Sequence, residues 1–228
     1  MTTACGSSGT TASSSGGSSA LLARVASKVA ADKAIPAWTA PGPPVDVAKL
    51  KGKRVFVIPE VPNPFNQNIQ NTYKQIFNAV GVKWTLYANQ GLVSQWIAGM
   101  DEAIAQRPDL IILSAAPDPR VLQPQLRAAK AAGIPVEVTQ FYDRSSPPPP
   151  TCLACAAGVT ALSTAPYNDG GAAEADWIIN DSHGHAHVLI VMAPDAIPSP
   201  GILSAMEREY RTYCAGCTYK VINVPVAQ

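Results

Sequence analysis

This sequence predicts an α/β protein of two lobes, each a parallel sheet flanked by helices, and three observations predict it. Strand-length apolar runs and helix-period apolar stripes alternate from Lys49 to the end of the chain. Leu110–Leu113 is continuously apolar, as a strand buried on both faces must be. The alternation is interrupted by four consecutive prolines, Pro147–Pro150, and then resumes.

Residues 1–19 are nearly all Ser, Thr, Gly and Ala, too little apolar surface to offset the entropy of ordering, so they are expected to be disordered. Leu21–Ala34 reads as a short Ala-rich helix, and Pro36, Pro41, Pro43 and Pro44 as an extended spacer. Residues 1–48 are thus predicted to be a tether. The first lobe is predicted over 49–142. Arg54–Ile58 is its first strand, and Pro59, Pro62 and Pro64 mark the loop that follows. Ile69, Tyr73, Ile76, Phe77 and Val80 then form one helical stripe. Val82–Tyr87 is a second strand, followed by a stripe of Leu92, Trp96, Ile97, Met100 and Ile104. After Leu110–Leu113 come the loop Ser114–Pro119, a helix carrying Leu122, Leu126 and Ala129 that Gly133 ends, and the strand Ile134–Val138. Such a βαβ series implies parallel strands and right-handed crossovers.

Residues 143–157, with the proline run, are predicted to cross between lobes, and 158–228 to form a second lobe. Its elements are the strand Val159–Ser163, the loop Tyr167–Gly171, a helix over Ala172–Asp181, the strand Ala186–Met192, a helix with Ile202, Leu203, Met206 and Tyr210, and the strand Tyr219–Val226. Three strands and two helices are few for such a lobe, so it is expected to be incomplete.

The chain has 228 residues, 47% apolar and 14% charged, with a net charge of +1. That balance offers no basic surface for nucleic acid, and no apolar run is long enough to span a bilayer. Five cysteines stand at Cys5, Cys152, Cys155, Cys214 and Cys217. The last four form two Cys-x-x-Cys pairs, candidates for disulfides in an oxidising compartment or for metal or redox chemistry in a reducing one. They allow three connectivities, and they lie farther apart than the pairs of compact zinc modules. His183, His185 and His187 alternate, which reads as a solvated helix-to-strand turn before it reads as a metal site. Ser163, Asp169 and His183 lack a nucleophile-elbow motif. No catalytic motif, metal or cofactor is predicted.

In open α/β sheets the ligand crevice lies at the carboxyl ends of the strands. Asn63, Phe65 and Asn66 follow the first strand and are read as one wall of a small-molecule site. Ser114 and Asp118 follow the third strand, Phe141 and Asp143 the fourth, and Asn168 and Asp169 stand in the loop of the second lobe.

Gly52–Asn223 resembles the sugar-type substrate-binding proteins of bacterial ABC transporters. The likeness rests on Lys51–Ile58, the Asn63-Pro64-Phe65 loop, Arg107–Leu113, Ala131–Val136, Asp169-Gly170-Gly171 before a helix, and Cys214-Ala215-Gly216-Cys217 before a strand. It implies two Rossmann-like lobes of the type 1 periplasmic-binding fold. They would close by hinge motion on a small polar solute, with Asn63 and Phe65 contributing to it and ABC permease subunits as partners. Thr3-Ala4-Cys5-Gly6 before the Ser/Gly run resembles a bacterial lipoprotein processing site. It implies lipidation of Cys5 and anchoring at the outer face of the cell membrane. The family's second lobe runs on further, so the chain is expected to be truncated at its C-terminus. A ligand sensor of the same fold, presenting solute to a membrane receptor, and a thiol or metal enzyme are the alternative readings.

Overall fold

The element boundaries follow local chemistry. Helix α2 (Pro64–Val80) begins where Asn63 accepts a hydrogen bond from the Asn66 N–H and Pro64 supplies a preset φ; it ends at Gly81, whose φ of 74° suits a residue without Cβ. The computed structural model describes residues 15–35, 37, 39–40, 42–115, 117–145, 157–194 and 196–225. The tail 1–14, Cys5, the proline run, Cys152 and Cys155 lie outside them. The chain divides into a central unit, Trp38–Tyr167, and a terminal unit built from Met1–Ala37 and Asn168–Gln228.

The central unit holds five parallel strands: β1 (Arg54–Pro59), β2 (Lys83–Leu86), β3 (Leu110–Ser114), β4 (Val136–Asp143) and β5 (Val159–Ala165), in the order β2-β1-β3-β4-β5. On one face Val55, Val57, Val82 and Ile112 pack against Tyr73, Phe77 and Val80 of α2. Alternation turns Phe56, Ile58, Ile111 and Leu113 to the other face, where they are fully buried. Helix α3 (Val93–Gln106) packs against β1 and against α4 (Gln123–Ala131). At the amino ends of the strands Asp109 binds the Arg54 N–H at 2.8 Å and Lys53 Nζ at 2.8 Å.

Two expectations for this unit change. The strand expected over Val159–Ser163 was to open the second lobe; instead β5 pairs with β4 and joins the first sheet. A proline run breaks periodicity, but it does not decide which sheet the next strand joins. The fourth strand also runs on to Asp143, with register shifts past Val136 and past Thr139 and with Gln140 at φ 59°. Phe141 and Asp143 are therefore strand residues rather than loop residues.

The terminal unit contains α1 (Ser15–Asp32), α5 (Tyr167–Asp181, entered from the central unit), β6 (His187–Met192), α6 (Ser199–Tyr213) and β7 (Thr218–Asn223). β6 and β7 form a two-stranded parallel sheet. Val25 and Val29 of α1 are buried with Ala175, Ile179, Ile190, Met192, Met206 and Tyr210. The helix expected to lie in a tether is thus part of a core. Lys28, between the two valines, holds Asp176 and Glu209 at 2.6 Å each and lies 4.8 Å from the Tyr213 ring centre. Tyr167–Gly171, expected as a loop, is the first turn of α5. There Gly171 lets α6 approach: a Cβ would meet the Ile202 carbonyl oxygen at 2.8 Å. Cys214 Sγ is bonded to Cys217 Sγ at the turn from α6 to β7. Of the three histidines, only His187 lies in a strand, with Nδ1 at 2.7 Å from Thr218 Oγ1.

Candidate functional site

The carboxyl ends of β1, β3 and β4 carry the polar and aromatic groups of the central unit. After β1 the chain turns through Glu60 and Val61 into α2. Phe65 sits on the first turn of α2 with its ring 57% exposed, uncommon for an aromatic side chain with an apolar sheet nearby. Asn66 beside it is 2% exposed; its Nδ2 donates to the Val61 carbonyl at 2.7 Å, and its Oδ1 has no hydrogen-bond partner among the described residues. Asn63 is exposed and caps α2.

At the end of β3, Ser114 is buried and its carbonyl accepts the Glu60 N–H at 3.0 Å. Ala115, at φ 57°, donates its N–H to Thr139 Oγ1 at 2.9 Å. Burial raises the pKa of Tyr73, and hydrogen bonds with Ser114 and Thr139 work against that rise. Farther along, Asp118 grips the Arg120 guanidinium through both carboxylate oxygens at 2.6–3.0 Å. Arg120 in turn lies 5.7 Å from the Phe141 ring centre, and Phe141 meets Tyr142 edge-on at 4.9 Å. Asp143 is buried and accepts from the Ser145 N–H at 2.7 Å and from the Ser145 hydroxyl.

The structure thus gathers Asn63, Phe65, Asn66, Ser114, Asp118, Phe141 and Asp143 at one end of one sheet. Asn168 and Asp169 belong to the terminal unit, where Asn168 packs so close to Gly201 that a Cβ there would stand 2.4 Å from its Oδ1. Within the central set the roles differ. Phe65 offers an open surface, Asn66 a buried amide and Asn63 a helix cap, whereas Asp118 and Phe141 are engaged with Arg120.

A model of the periplasmic binding protein domain matches residues 54–210, more than half of the chain. The chain belongs to the periplasmic binding protein domain family. No curated protein matches it in sequence. Solved structures of similar fold include ABC transporter solute-binding proteins from Burkholderia graminis C4D1M in complex with D-arabinose (18% identity, TM-score 0.62), from Clostridium phytofermentas with bound L-rhamnose (22%, 0.58) and from Actinobacillus succinogenes 130z with bound D-allose (16%, 0.64). They are matched over 76%, 76% and 75% of this chain, which spans only 57%, 52% and 59% of theirs.

Three members of the site in this periplasmic binding protein domain escape sequence reasoning. Glu60, directly after β1, is half-buried, and burial raises its carboxyl pKa. Tyr167 donates its hydroxyl proton to the Gln140 carbonyl at 2.6 Å. Its pKa is raised first by burial and then by the negative charges of Glu60 and Asp143. Asn89, buried, braces the rim: Nδ2 donates to the Pro59 carbonyl at 2.9 Å, and Oδ1 accepts from the Gly91 N–H at 2.8 Å. A charged residue closing an apolar strand was the one signal available for Glu60. Among the described residues, no three His, Cys, Asp or Glu side chains come together as a metal site would require, and no helix is long and apolar enough to cross a membrane. A cavity of about 100 Å³ lies at the opposite, amino end of the strands, lined by Arg54, Lys83, Trp84 and Gln106. It is smaller than the few hundred cubic ångströms of a usual ligand site.

Proposed function

We propose that this chain is the extracytoplasmic solute-binding component of an ABC importer, taking a small sugar-like polyol at the carboxyl-end face of the central sheet. The observation that carries the reading is the exposed Phe65 ring beside the Asn63 and Asn66 amides, in a chain of this family. An aromatic face covers the apolar side of a sugar ring, and amides exchange hydrogen bonds with its hydroxyls. The sugars named for the structural neighbours support the same class of ligand. ABC permease subunits are the partners this reading implies. Lipid attachment at Cys5, supported by the Thr3–Gly6 sequence, would hold the protein at the outer face of the cell membrane.

Isothermal titration calorimetry with a panel of aldoses and amino aldoses tests the reading. Binding by at least one sugar is expected, with Phe65→Ala weakening it about tenfold or more. Affinity unchanged by Phe65→Ala would remove the site from this face.

A further inference from the structure

Glu60 stands at the carboxyl end of β1, on this face. Its backbone is clamped on both sides: the N–H donates to the Ser114 carbonyl at 3.0 Å, and the carbonyl accepts from Trp96 Nε1 at 2.9 Å. Rigid elements therefore set where the side chain stands. That side chain is half-buried, and among the described residues no Lys, Arg or His pairs with it. Arg120, at the end of β3, is already held by both oxygens of Asp118. Asp143 adds a second negative charge, and the Tyr167 phenol stands within reach of both fields. Asn66 Oδ1, in a side chain buried beside Val61, is a further acceptor without a donor among the described residues.

We propose that Glu60 sets the specificity of this site and that the ligand is a polyol carrying a protonated amino group, an amino sugar, in preference to a neutral sugar or a sugar acid. The inference rests on the solute-binding reading above. A half-buried carboxylate without a counter-ion is costly to keep charged. An ammonium group supplies the missing charge and three donors at once. A neutral hydroxyl offers a hydrogen bond and no neutralisation. A carboxylate on the ligand meets the repulsion of Glu60.

The test is calorimetry at neutral pH on the full chain with D-glucosamine, D-glucose and D-gluconate, and with D-galactosamine, D-galactose and D-galacturonate. Each is titrated into the unmodified protein and into Glu60→Gln, which keeps shape and hydrogen bonding while removing charge. In at least one series the amine should bind about tenfold tighter than its neutral parent and the acid should not bind; Glu60→Gln should bring amine and parent within about threefold. Circular dichroism melting of Glu60→Gln verifies that the variant is folded. An amine that binds no tighter than its parent, or a preference that survives Glu60→Gln, overturns the inference. Neutral sugars that bind and lose affinity with Phe65→Ala would in that case leave the solute-binding reading standing. Absence of binding by all six probes would remove both.

Discussion

Lys28 Nζ of α1 lies 2.6 Å from Asp176 Oδ2 of α5, and Glu209 of α6 completes the clamp at 2.6 Å. Burial alone would lower the Lys28 pKa, but its close pairing with the Asp176 and Glu209 carboxylates prevails and raises it. The Asp176 pKa is raised by burial, against the pull of Lys28. Lys28→Met keeps the stem that packs beside Val25 and Val29 and removes the charge, leaving two buried carboxylates facing each other. The expected loss is below the ~3–5 kcal/mol of breaking a fully buried pair, because Lys28 is partly exposed. The sign with pH follows from the raised carboxyl: its native state holds the proton more tightly than the unfolded chain. Stability of the variant should therefore recover as pH falls from neutral toward the ordinary carboxylate range, and urea unfolding at a series of pH values measures it. A deficit independent of pH would show that packing, not charge, is what Lys28 supplies.

Gly158 precedes β5 with φ 139°, and a Cβ there would meet the Leu126 carbonyl oxygen at 2.5 Å. Backbone atoms of α4 cannot yield as a side-chain tip can. Gly158→Ala should destabilise the central unit by about 2 kcal/mol or more, through strain and overpacking together. A urea midpoint equal to that of the unmodified protein would mean that β5 does not hold this close approach in solution.

Asn63 carries two duties, and its variants should separate them. Its Oδ1 caps α2 by accepting the Asn66 N–H at 2.7 Å, so Asn63→Ala should cost about 1 kcal/mol of stability besides weakening solute binding. An exposed side chain ordinarily matters little to stability; the cap sets Asn63 apart. Asn63→Asp retains the cap and loses the amide donor. It should keep the melting temperature within a degree or two while still weakening binding. Loss of stability in both variants alike would deny the cap.

What was legible in the sequence was whatever depends on neighbours along the chain. Val55–Ile58 and Leu110–Leu113 are apolar without interruption because both sheet faces are covered, and the stripe from Ile69 to Val80 marks α2, although its first turn from Pro64 reads as loop. Contacts between distant residues were not legible. Val25 and Val29 form a thin stripe in an Ala-rich helix, and their partners stand some 150 residues later, at Ala175 and Ile179. Tyr167 joins the site only because β5 lies beside β4, which the proline run disguised. Glu60 lies in the loop that Pro59, Pro62 and Pro64 mark. Its half-burial comes from the surrounding fold, including Trp96 and Ser114, which fix its backbone.

The Cys214–Cys217 bond predicts a simple chemical result. Protein made under oxidising conditions, denatured without reductant and treated with iodoacetamide, should take up no label at either residue. After reduction both should be labelled. Loss of the bond should cost about 2 kcal/mol by the entropy of so short a loop, read as an earlier unfolding transition of the terminal unit. Quantitative labelling of both thiols before reduction would contradict the pairing.

The outward face of the β6–β7 sheet supplies the last prediction. Val188, Ile190, Met192 and Val221 turn inward to the core that α1, α5 and α6 share. Alternation then turns Leu189, Val191, Ile222 and Val224 outward, and they are 58%, 64%, 39% and 45% exposed. Register sets Val191 opposite Ile222, so the exposed groups are contiguous rather than scattered. Parallel sheets are normally covered on both faces, and each of these two strands also has an open edge in this sheet. The combination favours association between copies, with burial of apolar area as the driving force. Light scattering coupled to size-exclusion chromatography should show an average mass that climbs with protein concentration. Leu189→Thr with Val191→Thr places β-branched threonine, suited to a strand, at both positions and removes apolar surface, so the fold should be retained with a small change in stability. The double variant should remain monomeric at concentrations where the unmodified chain associates. Equal association of both proteins would place the contact elsewhere, and a strictly monomeric unmodified chain would show that the exposed sheet is too small to drive it.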